Sequence, residues 1–188
     1  MNKETFPVCL YSERLILKTL ESNYAENVLR YFINNKDFFK PWLPEFTNDY
    51  FSVGYHRLKL NIEHKGLLNG GNIRFWLFDK MFPDKIIGDL SYSNIIYGCF
   101  LSCHLGYKMD KDNLRKGYCY EALKLANSFM FDNVKLHRIE ANIIPRNTPS
   151  IKLIEKLGFV NEGISPKYLK INGVWEDHIH YVLLNDKV

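Results

Sequence analysis

The chain has 188 residues, 46% of them hydrophobic and 15% aromatic against 24% charged. That is enough apolar surface to offset chain entropy and too little chain to need a second core, so disorder is excluded and one domain over residues 1–188 is expected. The net charge of +4, from 25 Lys and Arg against 21 Asp and Glu, is mild for a nucleic-acid binder; no run reaches the roughly 18 uncharged apolar residues of a membrane span, and residues 1–6 lack the apolar stretch of a secretion signal, so a soluble cytoplasmic protein with no direct nucleic-acid or membrane partner is expected.

Residues 14–19 read as the first strand, after which Ser22 can cap a helix with Tyr24, Val28, Leu29 and Phe32 on its apolar face, ending near Asn34. Residues 38–44 carry Phe38, Phe39, Pro41, Trp42 and Pro44, a loop or broken helical turn of fixed shape. Its aromatics suit ligand contact and suit covering the core about equally. A second helix spans roughly 52–65 with Tyr55, Leu58 and Ile62 at helical spacing and Gly66 as its stop.

The period then changes to that of strands. Residues 73–79 and 85–93 form a hairpin turning around Pro83 and Asp84, and residues 100–109 add a third strand after the Tyr97-Gly98 turn. The apolar positions Tyr118, Ala122, Leu125, Ala126, Phe129 and Met130 trace one face of a helix over 117–132. Residues 138–144 follow as a strand, and strand, helix, strand implies a parallel crossover. A short helix over 150–157 stops at Gly158; Gly163 and the Asn172-Gly173 turn divide the remainder into closing strands, the last over 177–184. The cysteines, Cys9, Cys99, Cys103 and Cys119, form no C-x-x-C pair and read as reduced thiols.

The link into the crossover helix runs Leu114-Arg115-Lys116-Gly117-Tyr118-Cys119-Tyr120. A helix start leaves N–H groups without partners and carries partial positive charge, and a glycine there lets a phosphate approach them. Arg115 and Lys116 add two formal charges. Such a basic turn serves equally as a solvated connection, and its single glycine makes neither a P-loop nor a dinucleotide fingerprint.

The order of segments around that loop resembles the GNAT N-acetyltransferases, whose acyl-CoA pyrophosphate loop (Arg or Gln, two residues, Gly, any residue, Gly or Ala) falls here on residues 114–119. The resemblance continues through Arg138-Ile139-Glu140-Ala141-Asn142, Pro145-Arg146-Asn147-Thr148-Pro149-Ser150 and Glu155-Lys156-Leu157-Gly158-Phe159. Residues 167–178, with Tyr11-Ser12-Glu13-Arg14-Leu15 and Phe39-Lys40-Pro41-Trp42, narrow it to the ribosomal-protein alanine N-acetyltransferase (RimJ-like) branch. The resemblance implies an α/β (α+β) fold: a mixed, mostly antiparallel sheet of about seven strands, splayed at a parallel pair made by the fourth and fifth, with about four flanking helices. It implies acetyl-CoA as co-substrate, no metal, and a primary amine acceptor, foremost a protein N-terminal α-amine. A small amine such as an antibiotic or amino-acid derivative, and a non-catalytic CoA-binding regulatory module, are the alternatives. Monomer and homodimer both stay open.

The chain departs from the family pattern in three places. Leu114 and Cys119 replace the loop's usual end residues, and Arg115 can substitute from the next position. Seven residues after Asn147, where many members carry a Tyr as general acid, stands Ile154. Ser150, three residues after Asn147, is the remaining hydroxyl, and the resemblance implies that it stabilises the departing thiolate. The resemblance further implies that backbone groups of Tyr107, Lys108 and Met109 pair with the pantetheine arm like an added strand, and that Arg115, Lys116, Gly117, Tyr118, Cys119 and Tyr120 hold the pyrophosphate. Asn147 serves as coenzyme contact or as helix cap.

Acetyl transfer to an amine needs that amine neutral, and an N-terminal amine titrates near about 7.7–8.0, so a weak base or a water chain suffices. His104 stands where the superfamily often places a base on the third meander strand, and imidazole chemistry suits the transfer; a structural histidine is the plainer reading. Tyr168 and Trp175, flanking the Asn172-Gly173 turn, join Phe39 and Trp42 as candidates for a peptide-sized groove or as ordinary hairpin packing. His178 and His180 share a strand face but lack a third ligand at short spacing.

Overall fold

The computed structural model describes residues 7–188, so the secretion-signal reading of residues 1–6 lies outside the described residues. Strands β1 (Cys9–Tyr11), β2 (Leu15–Lys18), β3 (Ile73–Asp79), β4 (Phe82–Ile96), β5 (Ser102–Met109), β6 (Arg138–Ile143), β7 (Val160–Ile171) and β8 (Val174–Leu184) form one sheet in the order β1-β2-β3-β4-β5-β6-β8-β7. Helices α1 (Ala25–Asn34), α2 (Lys36–Phe39), α3 (Val53–Leu68), α4 (Tyr118–Asp132) and α5 (Thr148–Lys156) accompany it. Every neighbouring pair is antiparallel except β5 and β6, which α4 joins as a crossover.

β3 explains why both sheet faces are covered. Ile73, Phe75 and Leu77 belong to the cluster that takes in Ala122, Leu123, Ala126 and Met130 of α4. Trp76 and Phe78 belong to a second cluster, with Val28, Tyr31 and Phe32 of α1 and Leu60 of α3. A strand whose alternate residues are apolar on both sides has no face to give to water.

Several expectations are corrected. Among the described residues there are eight strands and five α-helices, because the three-residue β1 and the four-residue α2 are too short to announce themselves by periodicity; the added β1 makes the splayed parallel pair the fifth and sixth strands. The β3–β4 turn falls on Lys80 and Met81, with Pro83 inside a register-shifted start of β4. Gly163 does not end a strand: it sits in a register shift at φ 126° within one twelve-residue β7.

Helix α3 differs most from expectation. It runs to Leu68 past Gly66, where an added Cβ would lie 1.5 Å from Asn72 Oδ1, so this glycine permits a close approach rather than a stop. Leu58 and Ile62 are 61% and 52% exposed. The inward stripe is His56, Leu60, Glu63 and Leu67, spaced as a helix face requires; a search for apolar residues discards half of it.

Candidate active site

The site begins with a failure of pairing. β5 and β6 are in register only at Ser102–Arg138, Cys103–Ile139 and His104–Glu140. Beyond His104, β5 keeps its β4 partners through Met109, and β6 keeps its β8 partners through Ile143. The facing edges from Leu105 and Ala141 onward therefore part, and backbone groups on them face a gap instead of a ladder.

A cavity of about 490 Å³ lies there. It brings together Tyr107, Lys108 and Met109 of β5, Arg115, Gly117, Tyr118, Cys119 and Tyr120 of the loop and α4, Asn147 and Ser150 at the start of α5, and Phe39 and Trp42. Twelve of the expected site residues thus line one space. Lys116, His104, Tyr168 and Trp175 do not.

At the mouth, Gly117 caps α4 at φ 80° with no side-chain hydrogen bond, and the first helical bond there runs from Glu121 N–H to Gly117 O. The N–H groups of Tyr118, Cys119 and Tyr120 precede that bond, which is the arrangement an anion requires. Arg115 also takes a left-handed φ of 59°. Lys116 turns its ammonium to Asn113 Oδ1 at 3.0 Å. Arg14 brings a further cation to the glycine: it donates to Lys116 O at 2.9 Å, pairs with Glu121 at 2.6 Å, and lies 3.3 Å from the point where a Gly117 Cβ would sit. Only its place in an N-terminal motif hinted at that role. Tyr118 donates to Asp79 Oδ2 at 2.6 Å, which fixes its ring under the Arg14 guanidinium.

Deeper in, Asn147 is the α5 cap, its Oδ1 accepting from Ser150 N–H, and it lines the cavity as well. The Tyr107 hydroxyl is hydrogen-bonded to Ser150 Oγ. Burial pushes the Tyr107 phenol well above its ordinary range and the Cys119 thiol up to about 12, so both are neutral at physiological pH.

Phe39 is buried among Tyr31 and Phe32, covering the core, and also forms part of the cavity wall. Trp42 lies under the Arg146 guanidinium. Arg146 donates to Pro41 O at 3.2 Å and pairs with Glu176 at 2.8 Å, while Asn172 N–H donates to Leu43 O. These contacts tie the turn after α2 to the β7–β8 hairpin across the splay. Trp175 stays 58% exposed on that hairpin; Tyr168 instead turns its ring toward His180, 4.8 Å away between centroids.

His104 sits at the last β5–β6 rung, with Nδ1 3.1 Å from the Asn94 amide nitrogen and Nε2 3.7 Å from Glu140 Oε1. The same carboxylate oxygen meets His180 Nδ1 at 2.8 Å, and its other oxygen meets Arg138 at 3.0 Å. Burial opposes charge on Glu140, but the His180 and Arg138 hydrogen bonds outweigh it and hold the carboxyl below its usual range. Among the described residues no cluster of three His, Cys, Asp or Glu side chains could hold a metal.

A second cavity, of about 360 Å³, shares Leu43 and Lys108 with the first and is walled by Tyr50, Tyr55, His56, Glu63, Arg74 and Trp76, among others. An alternating charge array stands beside it: Glu63 to Arg74 at 3.0 Å, Arg74 to Asp89 at 2.7 Å, Asp89 to Lys108 at 3.0 Å, with Asp89 wholly buried. Burial lowers the Lys108 pKa and raises that of Glu63. Sequence reading took Lys108 for its backbone alone and passed over the rest, although a charge inside each of two apolar strands, Arg74 and Asp89, was a usable signal.

Comparison with known proteins gives one consistent picture. The model of the family described as acetyltransferase (GNAT) domain matches residues 14–160. A Bacillus subtilis (strain 168) protein named "Probable N-acetyltransferase YjcK" is 36% identical over 176 residues, covering 94% of this chain and 97% of its own. The ribosomal protein uS5 alanine N-acetyltransferase of Escherichia coli (strain K12) is 34% identical over 174 residues, covering 92% of this chain and 88% of its own. The crystal structure of ribosomal-protein-S5-alanine acetyltransferase from Vibrio fischeri superposes with a TM-score of 0.90 at 36% identity, covering 95% of this chain and 97% of that one.

Proposed function

We propose, for a chain that belongs to the GNAT acetyltransferase family and is an N-acetyltransferase, that it moves the acetyl group of acetyl-CoA to the N-terminal α-amine of a protein by direct attack in a ternary complex. The observation that carries this reading is a pair of cavities with Lys108 and Leu43 in the walls of both, one reaching the helix-start loop and the other opening beside α3. Two substrates can meet there without either displacing the other.

The residues suit the coenzyme. The loop N–H groups and Arg14 receive the pyrophosphate; the unpaired edge of β5 from Leu105 to Met109 receives the pantetheine amides as an added strand would. A β5 N–H directed at the thioester oxygen supplies the stabilisation that acyl transfer needs most. Ser150 donates to the departing sulfur. On the acceptor side the amine gives up its proton to water or to His104, whose neighbour Glu140 steadies the resulting imidazolium. The acceptor's first residues occupy the space under the tie between Leu43 and Asn172. Cytoplasmic location follows from such a substrate.

The test is acetyl-CoA-dependent thiol release over a panel of peptides with free α-amines, the same peptides with blocked α-amines, and small amines. The reading expects the highest kcat/KM for a free α-amine peptide and none for its blocked form. A small amine outrunning every peptide overturns the acceptor assignment; coenzyme binding without turnover on any amine indicates a binding module.

A further inference from the structure

We propose that Tyr107 is the positioning residue that holds Ser150 for the departing thiolate, a role that rests on the Ser150 reading above. The helix that presents Ser150 offers no further hydroxyl in the right place, because Ile154, one turn on, is wholly buried in the core. The hydroxyl comes from the opposite wall. Tyr107 projects from β5 across the cavity, its Oη in hydrogen-bond contact with Ser150 Oγ and 3.4 Å from Ser150 O. Both residues line the cavity.

A serine hydroxyl has one proton and can rotate, so without a partner it spends part of its time pointing away from the sulfur. When Tyr107 donates to Ser150 Oγ, the serine proton is left to point into the cavity, and its donor strength rises because its oxygen is already polarised. Burial keeps the phenol protonated through the working range, so Tyr107 lends its hydrogen bond and not its proton. The amine nitrogen forms the C–N bond, the C–S bond breaks, and its electron pair leaves on sulfur under the Ser150 hydrogen bond. The amine proton passes to water or His104, the thiolate takes its proton from solvent on release, and Tyr107 and Ser150 both keep theirs.

Tyr107→Phe removes the hydroxyl and keeps the ring. It should lower kcat about tenfold while leaving the KM for acetyl-CoA within about twofold, and the double variant with Ser150→Ala should be no slower than Ser150→Ala alone, since two groups acting as one unit do not add. A readout independent of any acceptor is the thiolate absorbance of CoA bound to the enzyme: its ionisation should need a pH about one unit higher in Tyr107→Phe than in wild type, the same tenfold effect seen at equilibrium. An unchanged titration, or losses that multiply in the double variant, overturns the role of Tyr107. A wild-type enzyme that shows the thiol shift yet acetylates no amine refutes only the acceptor reading and leaves this inference standing.

Discussion

Ser150 lines the cavity and His104 sits at the last paired rung before the splay, and their substitutions should separate in kind. Ser150→Ala removes an interaction that matters only once charge develops on sulfur, so kcat should drop on the order of tenfold to a hundredfold with KM for acetyl-CoA nearly constant; unchanged kcat when chemistry limits the rate would assign Ser150 to the α5 start alone. His104→Gln should erase the acid limb of kcat/KM while coenzyme affinity, read by calorimetry, stays put. If the variant keeps the wild-type profile, the proton leaves by water.

His56 yields a prediction about stability. Burial pushes it down to about 4, opposed by a hydrogen bond to the Tyr50 backbone, and it stacks on Phe32. Its folded pKa lies below the unfolded one, so the unfolded chain binds the extra proton, and stability is intact above about pH 6.5 and lost as pH falls toward 4. Between pH 7 and pH 5 the loss should be about 2 kcal/mol by urea unfolding. His56→Phe should flatten that slope; a variant as pH-sensitive as wild type would place the effect elsewhere.

Elements differ in how far their residues announce them. Strand β3 and helix α4 were legible because apolar side chains repeat at the strand and helix periods over many residues, and the Gly117 helix start because a positive φ of 80° selects glycine. The inward face of α3 was not, because burial of His56 and Glu63 depends on partners brought by β3 and by the segment before the helix. Arg14 was invisible at the loop for the same reason: its contact with Lys116 crosses 102 residues. Arg14→Ala should therefore weaken CoA binding several-fold with little effect on stability, since the Arg14–Glu121 pair is partly exposed. A variant with wild-type affinity would remove Arg14 from the phosphate site.

At the scale of the whole molecule, function follows from where the sheet stops being a sheet. The parallel crossover could be read from strand, helix, strand order, and family motifs pointed to the loop proposed to hold the coenzyme. The early end of β5–β6 pairing, which no single residue encodes, arises from three rungs at one end and the cavity walls at the other. The proposed acceptor side was the least legible, since Leu43, Asn172, Arg146 and Glu176 meet only through the fold. Mass spectrometry of an alanine-starting peptide incubated with enzyme and acetyl-CoA tests the account most directly. It should find one acetyl group on the α-amine, one free thiol released per acetyl transferred, and neither product when the α-amine is blocked. Acetyl-CoA bound by the wild-type enzyme, with the peptide's α-amine left unmodified, would contradict it.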